Sequence, residues 1–380
     1  MTNLIQSLKA LFTKQEPLQQ GFYSYHTPVE DALQYRLHLR IEPNGGGVLI
    51  VNASTILHLN QTATEYVYQI IQGFSDEDAI NHVADRYNVP KFQAAADFLH
   101  LRDQIMTLIT TPDLDPVSFL DMDRQIPYTD LSVPYRLDCA LTYQVSLGED
   151  VNHAPLDRVD RELNTEEWLT IIKKAFDAGI PHLLFTGGEP TLRDDLPQML
   201  VYAEELGLVT GLLSDGHKLS DQVYLQTLIA DGLDHLMLIL DPEDESDWQT
   251  LAGILAEDLY TTAHLTLTPG KDLKPAIDRL AKMQVNAISL STADPLLKEE
   301  LQALRDYAAF AQIELVWDMP VPYSRWNPVS LELEEVEAPQ GAGNAWMYVE
   351  PDGDVLPAQG FNQVLGNMLK DEWHTIWKNR

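Results

Sequence analysis

The stretch that decides the fold is residues 183–196, with the sequence LLFTGGEPTLRDDL. A short apolar run leads directly into Gly187 and Gly188, as at the end of a buried strand. Glycines at such a point let the backbone approach a ligand closely, and the carboxylate of Glu189 could receive an ammonium group. The same sequence, continued by Pro190, is also typical of a tight strand-to-helix turn. The motif predicts a strand followed by a turn and leaves a binding role open.

Apolar runs alternate with helical patterns on both sides of this motif, through residues 135–317. The runs lie at 136–143, 182–186, 208–213, 235–240, 262–267, 286–290 and 313–317. The helix at 165–178 is the best marked, because Asn164 and Glu167 form a capping box and Gly179 follows the last turn. This alternation predicts βα units and a parallel sheet. We expect an α/β fold, a partial (β/α)6 barrel whose site lies at the carboxyl ends of the strands.

The region before the barrel has a different pattern. Residues 21–112 show three predicted strands followed by three predicted helices. The strands are at 35–41, 47–51 and 55–59, and the helices are at 61–72, 76–87 and 91–109. This order predicts a separate α+β domain. Residues 1–20 are predicted to form an amphipathic helix, and residues 113–134, rich in proline and aspartate, a linker.

The region after the barrel, residues 318–380, is irregular. It contains a predicted hairpin, with strands at 345–349 and 354–356, and a final helix at about 370–378. Trp373 and Trp377 lie four residues apart in that helix, which indicates a packing face. We therefore expect the last 60 or so residues to pack on the barrel as loops and short elements.

Charge excludes several classes of partner. The net charge is −33, from 58 acidic and 25 basic residues. Such a field repels nucleic acid and anionic membranes, and no run of 18 apolar residues predicts a membrane span. We expect a cytoplasmic protein that binds neither nucleic acid nor membrane. The charge suits a basic peptide partner, and the simpler explanation, which we favour, is solubility or a salty cytoplasm.

Cysteine usage is the second constraint. Cys139 is the single cysteine of the sequence, and it lies within a predicted strand. One thiol forms no internal disulfide and cannot hold an iron–sulfur cluster, which usually needs three or four thiolates. We expect Cys139 to be a small buried hydrophobic residue.

Several phrases together resemble the radical SAM superfamily, and within it the SPASM group that includes the pyrroloquinoline quinone maturase. They are LDCALTYQ at 137–144, the glycine motif at 183–196, SDG at 214–216, GLDH at 232–235, LAG at 251–253, PDGDVLP at 351–357 and LGNM at 365–368. The resemblance implies a radical SAM type of barrel and a SPASM-like segment at 318–380. It also implies a pocket for S-adenosylmethionine (SAM). The residues of that pocket would be Gly187, Gly188, Glu189, Pro190 and Ser214.

The first region resembles the peptide chaperone of the same pathway, also called a RiPP recognition element, which is winged-helix-like. In that family a leader peptide adds as a strand to the sheet edge and lies against the third helix. The resemblance implies a precursor-peptide site formed by Thr55, Ile56, Leu57, His58 and Phe92. The alternative is a small winged or docking domain without a peptide site.

The chain departs from the radical SAM pattern where the cluster should be. The three cysteine positions of the family's loop fall on Val145, Glu149 and Asn152, and the C-terminal segment also lacks cysteine. We therefore expect no [4Fe–4S] cluster and no other cofactor, with SAM binding weakly or not at all. An alternative use of the loop is a metal site made by Glu149, Asp150 and His153.

Three functions remain open from the sequence. The first is a catalytically degenerate protein that binds a ribosomal precursor peptide and assists its modification by a partner enzyme. The second is an enzyme with replaced chemistry, which would be metal-dependent or would use SAM without radicals. The third is a regulator or sensor that retains small-molecule binding alone.

Overall fold

The structure is a computed structural model that describes residues 18–28, 31, 33, 35–51, 55–111, 131–292, 294–333 and 338–380. The helix predicted at 1–20 lies outside the described residues up to residue 17, and most of the predicted linker at 113–134 also lies outside them. The side chain of Ile56 is likewise not described. The chain divides into two units, residues 1–126 and 127–380.

The first unit contains a four-stranded antiparallel sheet. Its strands are β1 (Gly21–His26), β2 (Arg36–Ile41), β3 (Gly47–Val51) and β4 (Thr55–Leu59), and they lie in that order. The prediction of three strands was wrong by one, because β1 was not predicted. Its sequence GFYSYH has aromatic residues but no short turn joining it to β2, so its place in the sheet depends on pairing rather than on a local signal.

Three helices cover one face of this sheet. They are α1 (Gln61–Ile71), α2 (Asp76–Tyr87) and α3 (Lys91–Thr110). The side chain of Asn60 caps α1 by accepting a hydrogen bond from the backbone N–H of Ala63 at 2.9 Å. Alternate residues of the strands, among them Leu39, Leu49 and Leu57, are buried against the helices. The intervening residues of β2 and β3 are buried as well, so the alternation lies in which side chains join the core under the helices.

The second unit is built on a ten-stranded sheet. The strands that form its parallel part are β5 (Arg136–Thr142), β6 (His182–Gly187), β7 (Val209–Ser214), β8 (His235–Ile239), β9 (Tyr260–Leu267), β10 (Ala287–Thr292) and β11 (Glu314–Val316). β12 (Trp346–Val349) adds to β5 in parallel, and β13 (Asp354–Leu356) and β14 (Gly366–Asn367) follow antiparallel. The sheet ends at β11 and β14, which is consistent with the predicted partial barrel.

Helices separate the parallel strands along the chain. They are α4 (Thr165–Ala178), α5 (Leu196–Glu205), α6 (Gln222–Ala230), α7 (Glu245–Ile254), α8 (Lys274–Met283) and α9 (Lys298–Phe310), with α10 (Trp373–Lys378) near the C-terminus. The capping box of Asn164 and Glu167 is present, and Gly179 ends α4 in the left-handed conformation. Helix α10 begins three residues later than predicted, with Glu372 as its N-cap.

The sheet and its helices enclose the main core. Leu137, Cys139 and Leu141 of β5 are fully buried there beside Trp168 of α4. Burial raises the pKa of the Cys139 thiol. Trp373 and Trp377 of α10 stack on each other with ring centroids 5.9 Å apart and pack against the same core. In the described part of the chain, no helix has the length and apolar content that crossing a bilayer requires.

Candidate functional site

The glycine motif closes the end of β6 against the residues that continue β5. The backbone N–H of Gly188 donates to the Thr142 carbonyl at 2.8 Å, and that of Glu189 donates to the Gln144 carbonyl at 2.8 Å. A Cβ at Gly187 would lie 2.2 Å from the Thr142 oxygen, and one at Gly188 would lie 2.1 Å from the Gln144 oxygen. Packing of the chain on itself therefore requires both glycines, whatever else they do.

The carboxylate of Glu189 is buried and surrounded by donors from the protein. It accepts hydrogen bonds from the Thr191 backbone at 2.9 Å, the Thr191 hydroxyl at 2.5 Å, the Ser214 hydroxyl at 3.0 Å and the Asp215 backbone at 2.8 Å. Burial, together with the charge of Asp215, raises the pKa of Glu189. Pro190 begins the short 3-10 turn that supplies Thr191. These internal donors already engage both carboxylate oxygens. The structure therefore gives no open oxygen for a ligand ammonium, and pairing of Glu189 with such a group stays a prediction.

Next to Glu189, Asp215 and His217 form an ion pair that the sequence analysis did not single out. Nδ1 of His217 lies 3.0 Å from Oδ2 of Asp215, and this hydrogen bond raises the pKa of His217 to about 9. Burial opposes ionisation of Asp215, but hydrogen bonds from His217 and Ser146 outweigh it and lower the pKa of Asp215. The SDG phrase at 214–216 was the available signal for this pair.

The three cluster positions do not come together as one site: two of them line a common cavity and the third does not. Val145 packs against a buried cluster that includes Tyr143 and Tyr323. Asn152 is exposed, and its amide donates to Oδ1 of Asp150 at 2.7 Å. Oε2 of Glu149 lies 3.1 Å from Nδ1 of His153. Val145 and Glu149 line one cavity with Gly188 and Glu189, and Asn152 does not line it.

The alternative metal set of Glu149, Asp150 and His153 lies in the same loop. Glu149 and His153 contact each other, whereas the Asp150 carboxylate bonds to Asn152. Within the described residues, no group of three or more His, Cys, Asp or Glu side chains is arranged to hold a metal ion. A metal ion bound at this loop therefore stays a hypothesis, to be tested by measuring the metal content of the purified protein.

The cavity beside Glu189 is small. Its volume is about 70 Å³, against about 300–1,000 Å³ for typical small-molecule pockets. Arg325 lies in its wall, with Nη2 3.0 Å from Oδ2 of Asp241 and Nε 3.5 Å from Oε1 of Glu149. The loop supplies no thiolate, and the Glu189 oxygens are engaged. The residues around this cavity therefore do not fit a cluster-bound SAM molecule.

The predicted peptide site lies on β4, in the first unit. Among the described strands, β4 pairs with β3 alone and is one edge of the sheet. Leu57 and Leu59 point into the core, while Thr55 and His58 are half-buried. Burial, and then the charge of Arg40, lowers the pKa of His58.

Helix α3 presents an exposed apolar stripe. Phe92 is 79% exposed at the start of the helix, and Leu99 and Met106 are also exposed. Residues seven apart lie nearly two full turns along a helix and so share a face. The sequence analysis named Phe92 and missed the other two, although their heptad spacing was the signal that could have found them.

Three comparisons with known proteins bear on this arrangement. No protein-family model matches the chain. The PqqA peptide cyclase of Granulibacter bethesdensis is 34% identical over 103 residues, and the match covers 27% of this chain and 27% of the cyclase. Because that match spans about a quarter of the cyclase, it does not carry the cyclase's activity to this chain.

Solved structures match over much more of the chain. SuiB of Streptococcus suis bound to S-adenosylmethionine has a TM-score of 0.61 at 16% identity, and the match covers 90% of this chain and 86% of SuiB. SuiB bound to its precursor peptide SuiA has a TM-score of 0.57 at 16% identity, with 93% of this chain and 88% of SuiB covered. The chain therefore shares the fold of SuiB, and its resemblance to the radical SAM peptide maturases is confirmed.

Proposed function

We propose that this chain binds a ribosomally made precursor peptide along β4 and assists its modification by a partner enzyme, without radical chemistry of its own. The observation that carries the proposal is the edge position of β4 in the sheet order β1-β2-β3-β4. An extended peptide adds to such an edge through its backbone, and side-chain pockets then set specificity. The proposed binding residues are Thr55, Ile56, Leu57, His58 and Phe92, and the proposed place of action is the cytoplasm.

Three further observations support a peptide as the ligand. The stripe of Phe92, Leu99 and Met106 is exposed apolar area on α3, in the same unit as β4. The net charge of −33 favours a basic partner. SuiB, whose fold the chain shares, has been solved with its precursor peptide bound. These features favour peptide binding over a domain that serves only for docking.

The absence of radical chemistry rests on the thiol count. A site-bound cluster usually needs three or four thiolates, and Cys139, the single cysteine of the sequence, is buried in the core of the second unit. The cluster positions carry Val145, Glu149 and Asn152 instead. We therefore assign catalysis to a separate enzyme and peptide presentation to this chain.

Peptide binding is tested by titrating the full chain with labelled leader peptides from short reading frames beside its gene, using fluorescence anisotropy. We expect saturable binding in the micromolar range, and a scrambled peptide of the same composition should not compete. Equal binding of native and scrambled peptides, or no binding to any of them, contradicts the proposal.

The proposed absence of radical chemistry is tested by anaerobic reconstitution of the chain with iron and sulfide. We expect substoichiometric iron and no charge-transfer absorbance, with a cluster-binding SPASM protein as the positive control. A cluster with a paramagnetic signal on reduction contradicts the proposal. Stoichiometric zinc or manganese in the purified chain favours an enzyme with replaced chemistry instead.

A further inference from the structure

Residues 319–327, here called the strap, cross the barrel after β11. Met319, Val321 and Trp326 pack against an apolar patch that the three neighbouring strands β6, β7 and β8 form together. The members of that patch are Leu184, Leu213, Met237 and Ile239. The strap thereby lies over the inward face of the strands that lead to the glycine motif and to Asp215.

Backbone and side-chain hydrogen bonds fix the strap. The Tyr323 N–H donates to the Gly187 carbonyl at 2.7 Å, so the strap is bonded directly to the glycine motif. The Tyr323 side chain is buried, with its ring edge-on to Tyr143 at a centroid distance of 5.4 Å. The Val321 carbonyl accepts from the Asn327 amide at 2.6 Å and from the Gln359 amide at 2.9 Å. The Asn327 bond closes the strap on itself, and the bonds to Gln359 and Gly187 tie residues 321 and 323 to the rest of the second unit.

Glu149 joins the strap to the loop that follows β5. Its Oε2 accepts a hydrogen bond from the backbone N–H of Arg325 at 2.9 Å, across 176 residues of sequence. The Arg325 guanidinium is about half exposed, so its ion pairs with Glu149 and Asp241 are weakened by solvent. The backbone bond to a carboxylate that is only 17% exposed is the stronger contact.

These contacts place part of the strap in the cavity beside Gly188 and Glu189. Residues 322–326 of the strap line the cavity beside Gly188 and Glu189, and about 70 Å³ remains open there. We infer that the strap is an internal occupant of this pocket, fastened by Glu149, and that it closes the pocket to any nucleoside-sized ligand. Glu149, which stands at one of the three cluster positions, thus holds the loop after β5 to the strap. The inference concerns the second unit and does not depend on peptide binding by β4.

The test is hydrogen–deuterium exchange of the full chain, with mass spectrometry of the strap and of residues 143–153. Glu149→Ala removes the acceptor for the Arg325 amide, and we expect exchange in both segments to rise about tenfold, the equivalent of one lost charged hydrogen bond. Glu257→Ala is the matched control, because that carboxylate has its own side-chain partner, Gln226, in the same unit. The control should leave both segments unchanged.

A second variant keeps the test decisive if Glu149→Ala does not fold. Arg325→Ala removes only the half-exposed guanidinium, so we expect the strap to exchange about two- to threefold faster. Strap exchange that is unchanged in a folded variant overturns the inference. Exchange of the wild-type strap as fast as that of unstructured peptide also overturns it.

SAM itself serves as the small-molecule probe. Millimolar SAM should leave wild-type exchange unchanged at residues 187–191 and in the strap. Slower exchange at residues 187–191 would overturn the inference, whether the strap also slows because SAM enters beside it or exchanges faster because SAM displaces it.

Discussion

Two regions differ in how their polar groups are used: the carboxyl end of β6 with residues 187–191 of the glycine motif, here called the mouth, and the β4 edge of the first unit. At the mouth, the amides of Gly188 and Glu189 and the Glu189 carboxylate all bond within the chain. At the edge, β4 has a paired side toward β3 and no second strand among the described residues. A motif that resembles a cofactor site is thus engaged internally, while β4 has one strand neighbour among the described residues.

This contrast gives the glycine motif a structural role that does not depend on a ligand. Gly187 and Gly188 are required by the close approach to Thr142 and Gln144, so packing alone would preserve them. Burial of Glu189 needs Thr191 and Ser214 as hydrogen-bond donors for the same structural reason. Sequence resemblance at a site therefore has to be weighed against the bonds that the site already makes.

The largest expected effect is at the closed mouth. Gly188→Ala would place a Cβ 2.1 Å from the Gln144 carbonyl oxygen, and we expect it to lower the free energy of unfolding by about 3 kcal/mol. Gly270→Ala is the control, since no atom lies within 4 Å of its added Cβ and its positive φ alone is strained. Chemical denaturation measures both variants. Equal losses would mean that the motif is not packed as described.

The next effect concerns the open edge. Phe92→Asp places a charge in the exposed stripe of α3, and we expect leader-peptide affinity to fall about tenfold, or about 1.4 kcal/mol. Phe310→Asp is the matched control, because Phe310 is 87% exposed at the end of α9 in the second unit. Anisotropy titration compares the two variants. A similar loss in both would assign the effect to net charge and remove the stripe from the binding site.

Ionic strength should have a smaller effect on the same titration. Because the chain carries a net charge of −33, raising salt from low to physiological levels should slow association of a basic leader about threefold. Stopped-flow measurements give this association rate directly. A rate that does not change with salt would leave the acidic surface with no part in peptide capture.

The smallest effect is a pH dependence at the mouth. The pKa of His217 is raised to about 9 by Asp215, so the folded state binds this proton more tightly than the unfolded state does. The stabilisation is fully present below about pH 6.5 and is lost as pH rises to about 9. We expect wild type to be more stable than His217→Gln below pH 6.5, with the difference shrinking toward pH 9. Denaturation series at several pH values check this, and a constant difference would contradict it.

Local signals predicted the regular elements well. Asn164, Glu167 and Gly179 gave the bounds of α4, and apolar runs located the seven parallel strands, because these features depend on neighbouring residues. Strand β1 was missed, since its register comes from pairing with β2 rather than from a turn. Periodicity likewise placed β4 as a strand, its edge position was implied by the family resemblance, and the sheet order has β4 at the edge.

The candidate site was less predictable. The motif predicted that Gly187 and Gly188 end a strand, but not that Tyr323 bonds to that end. Glu149 and Arg325 are 176 residues apart, and no pattern in a single sequence links such a pair. The strap has no helical or strand period of its own, so its position follows from tertiary packing alone.

The measurement that tests the contrast most directly is hydrogen exchange of the full chain with leader peptide and, separately, with SAM. Our account predicts that the peptide slows exchange at residues 55–59 and leaves residues 187–191 unchanged, while SAM slows neither segment. Protection of residues 187–191 by SAM, together with no protection of residues 55–59 by any leader peptide, would contradict it.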